Sequence, residues 1–142
     1  MVELYVCSSV REFSQDVLEV LKKGWNGVYL LLKELGVGEI ASIEGIEITL
    51  LDDAEMGRIH GEFLDDPTPT DVITFDHGEL LIGVETAMRQ ASSHDSSMNR
   101  EIALYGIHGM LHLAGFDDRC EEDAQKMAKR QFTLLNEWFP AL

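Results

Sequence analysis

The segment His108-Gly109-Met110-Leu111-His112-Leu113-Ala114-Gly115-Phe116-Asp117-Asp118 constrains this chain more than any other. His108 and His112 stand four residues apart. In a helix such residues project from one face about a turn apart, so both imidazoles reach a common point. That separation lets two imidazoles bind one tetrahedral metal ion. Gly115 follows as a helix stop, because glycine tolerates the left-handed conformation past a helix end. The chain turns there, and Asp118 can swing back as a third ligand. Ile107, Met110, Leu111 and Leu113 surround the pair with apolar groups, which strengthens the field of a bound ion. A second reading of Asp118 stands beside this one. Asp118-Arg119-Cys120-Glu121 matches a capping box, with Asp118 as N-cap of the last helix and Glu121 at its third position. A carboxylate has two oxygens, so the two roles are compatible.

A length of 142 residues fits one domain, residues 1–142, with enough chain to bury a core. No apolar run approaches the roughly 20 residues needed to span a bilayer. Met1-Val2-Glu3-Leu4-Tyr5-Val6 lacks a basic leader and reads as a strand, not a signal peptide. Cys7 and Cys120 lie far apart and fit reduced thiols of a cytosolic protein. Cys120 is also a soft donor close to the metal segment, although a buried or neutral surface thiol is the simpler reading. The net charge is −15, and it is uneven. Residues 1–80 carry 17 acidic and 5 basic side chains; the remainder carries 9 and 6. Such a chain has no generic attraction for nucleic acid or anionic membrane. A nucleic-acid function therefore needs local basic groups, a metal or a protein partner. In the C-terminal half the available phosphate contacts are Arg89, Arg100, Arg119, Lys126, Lys129 and Arg130.

Taken in order, residues 2–8 read as a strand. A long helix is expected from near Arg11 to Leu35, with Leu18, Leu21, Trp25, Val28, Leu32 and Leu35 as its apolar stripe. Gly24 and Gly27 are expected to weaken or kink it, and Gly36 and Gly38 to end it. Ile46–Leu50 alternates as a half-buried strand. Asp52 or Asp53 caps a helix from Ala54 to about Phe63. Pro67 and Pro69 mark a loop. Residues 70–76 and 79–84 form two strands joined at His77-Gly78, antiparallel to each other. Asp71 is expected to tie its loop to the backbone. A helix from Glu85 to about Ala91, a polar loop, and the motif helix from near Met98 follow. The last helix, about Glu121 to Phe139, buries Ala128, Phe132, Leu135 and Phe139, and Pro140 closes it. His60 and His77 read as ordinary surface or turn residues.

The His108–Asp118 segment resembles the HGxLHLxGYDH signature of the YbeY family of bacterial rRNA-maturation endoribonucleases. Thr70-Asp71-Val72-Ile73-Thr74-Phe75 resembles that family's second motif, PTDVLSF, with Pro69 immediately upstream. The order of elements matches as well, so the resemblance covers essentially the whole chain. It implies an α+β domain, with a small sheet of about four strands packed against about five helices. It implies one zinc-type ion on a C-terminal helix and the following turn, held by His108, His112 and the last signature position. That position is usually His and here is Asp118, an acceptable oxygen donor that makes the ligand set one charge more negative. A second departure is Leu64, where the family often has Arg. His60 falls where the family usually has Asn, and no Lys or Arg occurs between Arg58 and Arg89.

The resemblance implies a metal-dependent, single-strand-specific endoribonuclease of rRNA maturation and ribosome quality control. It implies a cytoplasmic setting. The implied partners are rRNA and the small ribosomal subunit, with a ribosomal protein or assembly GTPase, and neither membrane nor DNA. Asp117, beside a ligand, is either a general base that orients water or an exposed solvating acid. Two rivals remain. HxxxHxxGxxD also has the ligand spacing of metzincin-like proteases, but those enzymes carry Glu directly after the first His, where this chain has Gly109. The other rival is a non-catalytic ribosome assembly factor with a structural metal, favoured by Leu64 and the acidic charge.

Overall fold

The computed structural model describes all residues of the chain except 11, 12, 67 and 69. Strands β1 (Val2–Val6), β2 (Ile46–Leu51), β3 (Val72–Phe75) and β4 (Glu79–Gly83) form one sheet in the order β1-β2-β4-β3. β1, β2 and β4 are parallel, and β3 pairs antiparallel with β4, as the hairpin reading expects. Gly78 sits in the hairpin turn at φ 105°, a conformation that favours glycine. Parallel neighbours need a crossover, and α1 (Gln15–Leu35) supplies it between β1 and β2. α2 (Asp53–Leu64) follows β2, and α3 (Val84–Ser93), α4 (Met98–Leu113) and α5 (Glu121–Trp138) complete the chain. The architecture is the expected single α+β domain, with four strands and five α-helices among the described residues.

Local chemistry accounts for the helix ends. Ser14 Oγ accepts the Val17 N–H at 3.2 Å and starts α1. The expected start near Arg11 lies outside the described residues. Asp52, not Asp53, caps α2 by accepting the Glu55 N–H at 2.8 Å. The loop assigned to Pro67 and Pro69 also lies outside the described residues at those two positions. α1 continues through Gly24 and Gly27 without a break. Their role is close approach. A methyl group on Gly24 would lie 2.3 Å from the Phe139 ring, and one on Gly27 would lie 2.3 Å from the Trp138 ring. Phe139 is fully buried and has nowhere to retreat. Gly24→Ala is therefore expected to destabilise the fold by about 1–3 kcal/mol, with overpacking outweighing the better helix propensity of alanine. A urea midpoint equal to or above that of the parent chain would show that the ring can move aside.

α4 is apolar on nearly every side, and such a helix must lie inside. It packs against α1, α3, α5, β3 and β4. On one side the Trp25 Nε1–H donates to the Ala103 carbonyl at 3.0 Å, and Gly106 lies beneath the indole. On another, Gly109 lies against Leu80 and Thr74 of the sheet. These contacts fix the rotation of α4 and leave His108 and His112 half-buried. A smaller apolar cluster, Leu51, Met56, Ile73 and Leu81, joins α2 to the sheet.

α5 takes Cys120 as its N-cap residue, so the capping-box reading of Asp118 is overturned. Helical geometry begins two residues too late for Asp118 to fill that position. Phe132, expected in the core, is 50% exposed. A cleft, not a neighbouring helix, lies against that part of α5. Leu35 is exposed as well. No described helix is long and apolar enough to cross a membrane.

Candidate metal centre

The centre is built by the way α4 ends. Gly115 adopts φ 95°, its N–H donates to the His112 carbonyl at 3.0 Å, and the Phe116 N–H donates to the Leu111 carbonyl at 3.0 Å. This is the paired hydrogen bonding of a Schellman stop. It folds Phe116 back over the last turn, where its carbonyl accepts from His112 Nδ1 at 3.1 Å. His108 Nδ1 donates to Gln131 Oε1 of α5. Carbonyl and amide oxygens only accept, so each ring donates from Nδ1, and in its neutral form leaves the Nε2 lone pair available to a ligand.

Those two Nε2 atoms are 3.0 Å apart, with the rings at 83° to each other. Asp118 Oδ2 lies 4.0 Å from His108 Nε2, and one donor atom from each of the three residues falls within 4.8 Å of the others. Two such nitrogens at this distance need either a shared proton or a cation between them. Two nitrogens on a tetrahedral zinc ion would stand about 3.3 Å apart. The donor set therefore fits a metal ion. Three protein donors would leave a fourth position for water or substrate. Asp118 is the loosest of the three, its side chain 53% exposed.

The other expected residues stand apart from this set. Asp117 is half-buried, and its Oδ1 accepts the Arg119 N–H at 3.3 Å. Cys120 is a free, exposed thiol. His60 Nδ1 bonds the Thr68 carbonyl at 2.7 Å, and His77 lies beside Glu79 at 3.3 Å. Asp71 Oδ1 accepts the Val72 N–H at 2.7 Å, the backbone tie expected of it. Of the basic candidates, Arg89 is held by Asp53 at 2.8 Å and Lys126 lies 3.3 Å from Glu122. Arg100 donates to Asn136 Oδ1 at 3.0 Å and borders the cleft next to His108.

Gln131 has no signal in the sequence, because it lies 23 residues from the ring that it orients and only the packing of α5 on α4 joins them. Groups that orient a metal-binding imidazole commonly contribute about 10–100-fold in metal affinity. Gln131→Leu is expected to weaken zinc binding by that factor while α5 stays folded, read by competition with a chromophoric chelator. An unchanged affinity would remove Gln131 from the centre.

Two hollows flank His108. One, of about 800 Å³, is bordered by Arg100, Glu101, Tyr105 and Phe132. The other, of about 380 Å³, lies over β3 and is bordered by Leu64, Thr74, Asp76 and His112. Leu64 thus stands at the centre's edge without the charge of the Arg that the resemblance leads one to expect.

The family model of endoribonuclease YbeY matches residues 11–139. The chain belongs to the YbeY endoribonuclease family. Endoribonuclease YbeY of Oceanobacillus iheyensis is 30% identical over 118 residues, covering 70% of this chain and 77% of its own length. That of Bacillus thuringiensis is 31% identical over 130 residues, covering 74% and 83%. A solution structure from Thermotoga maritima shares the fold, with a TM-score of 0.71 at 22% identity over 99% of this chain and 91% of its own. YbeY membership places the chain among endoribonucleases, which are hydrolases. The protease rival gains nothing from the geometry. A side chain at position 109 would meet Leu80 Cδ2 at 2.5 Å and Thr74 Oγ1 at 2.9 Å, so it points into the sheet.

Proposed function

We propose that this chain is a zinc-dependent endoribonuclease that cuts single-stranded segments of rRNA during ribosome maturation and quality control in the cytoplasm. The observation that carries this reading is the convergence of the His108 and His112 Nε2 atoms with Asp118, at a ring, His108, that borders two hollows. When bound, the ion would supply positive charge to phosphoryl oxygens and make a coordinated water more acidic. His108, His112 and Asp118 hold it. Gln131 and the Phe116 carbonyl keep the imidazoles in the binding tautomer. Asp117, next in sequence to a ligand, is the candidate for orienting the attacking water. Phe63, 60% exposed, lies 5.7 Å from Phe75, which stacks on His77 at 5.7 Å. Phe75 also lines the hollow over β3, and such a row suits unpaired bases more than a closed duplex.

The net charge of −15 argues that the chain does not find RNA by general attraction. We therefore assign delivery to the small ribosomal subunit, through a ribosomal protein or an assembly GTPase. The same charge, with Leu64 at the edge of the centre, favours the second reading of a non-catalytic assembly factor whose metal is structural. One variant separates the two. His108→Ala is expected to retain ribosome association and lose rRNA processing. Processing that persists in a folded, metal-free His108→Ala protein would favour the assembly factor.

A further inference from the structure

Glu101 lies on α4, seven residues before His108, and is only 8% exposed. Among the described residues its carboxylate has neither a hydrogen bond nor an ion pair. The sealed, unpartnered side-chain atoms belong to Asn99, Tyr105 and Trp138; the Glu101 carboxylate instead opens into the 800 Å³ cleft. A polar group left without a partner at that depth is costly, so a ligand that supplies one is favoured there. One turn along α4 lies the hydroxyl of Tyr105, a residue 6% exposed. Burial raises its pKa, and the Glu101 and Asp71 carboxylates raise it further against the opposing pull of Arg89.

The chemistry of this cleft is selective. Its carboxylates, Asp71, Asp95 and Glu101, repel phosphate and, among the described residues, outnumber Arg100, the one guanidinium that borders it. They accept hydrogen bonds from N–H groups. A hard divalent cation needs several converging oxygens, and among the described residues the only converging group of three metal-binding side chains is His108, His112 and Asp118, which supplies two nitrogens and one oxygen and does not include Glu101. Leu104, Leu135 and the half-exposed Phe132 supply an apolar wall. His108 borders both the cleft and the metal centre, so a group in the cleft lies next to the reacting phosphate.

We propose that this cleft holds one unstacked base of the RNA strand and that Glu101 reads its N–H edge, with guanine preferred. The inference rests on the endoribonuclease reading above. Guanine offers N1–H and N2–H side by side to one carboxylate. Adenine and cytosine offer a single amino group. Uracil offers one N–H between two carbonyl oxygens, which a carboxylate repels.

The test uses zinc-loaded full-length protein and single-stranded oligoribonucleotides that differ only in the base beside the cut. Guanine is expected to be cleaved about ten- to a hundredfold faster than uracil, with inosine, which lacks the N2 amino group, in between. Glu101→Gln is expected to collapse the guanine-to-uracil ratio, with its thermal unfolding and zinc content measured alongside. A second readout is independent of cleavage. Guanosine 5′-monophosphate is expected to shift the Tyr105 ring resonances, and uridine 5′-monophosphate to leave them in place. Equal rates for all bases with no guanosine-specific shift would overturn the inference. So would a Tyr105 shift produced by added magnesium alone. A guanosine-specific shift in a protein that cuts no RNA would support the base site and sink the endoribonuclease reading instead.

Discussion

Replacing His112 by Ala is expected to release the metal and lower RNA cleavage by about a hundredfold or more. His112 is half-buried, its ring is locked by the Phe116 carbonyl, and its Nε2 faces that of His108 at 3.0 Å. No other described donor joins this set to take its place. Asp118→Ala should weaken binding less, because that side chain is half-exposed and less fixed. Two measurements check the prediction without an RNA substrate. Elemental analysis should find about one zinc per chain in the parent protein and far less in His112→Ala. Zinc at a thousand times its dissociation constant should also stabilise the parent fold by about 4 kcal/mol and leave the variant unmoved. A His112→Ala protein with full zinc content would show that the metal sits elsewhere.

Trp25→Ala is expected to give the largest loss of stability, about 3–5 kcal/mol. Small domains are stable by only about 5–15 kcal/mol, so this is a large fraction of the total. Trp25 is fully buried, packs edge-on to Phe139 at 6.2 Å, and donates to the Ala103 carbonyl. The neighbourhood cannot close over the void. Gly106, directly beneath the indole, has no side chain to fill it, and Phe139 is already held against Gly24. The effect should reach the metal centre, since Gly106 lies two residues before His108 on the same helix. Urea unfolding reads the stability and zinc affinity reads the coupling. A loss below about 1 kcal/mol would mean that α4 is held to the core by other contacts.

Much of this protein was legible where the determining interactions are short in range. The four-residue spacing of His108 and His112 fixes their shared face once the segment is helical. Gly115 marks the stop because few other residues accept its φ of 95°. The alternation and turn residues around Gly78 place the β3–β4 hairpin. The two family motifs extend that local reading to the whole fold. Asp118 marks the boundary. Its sequence context fits both a ligand and a cap, and only the start of α5 at Glu121, with Cys120 as its N-cap residue, removes the cap. Gly24 and Gly27 are only half legible for a related reason, since a glycine that weakens a helix and one that also admits an aromatic ring look alike until the partner helix is in place. Phe132 fits an apolar stripe, yet its exposure depends on the cleft beside α5. Gln131 and the buried carboxylate of Glu101 had no sequence signal. Their roles arise from groups brought together by helix packing, and local periodicity carries no information about which distant residue a side chain will meet.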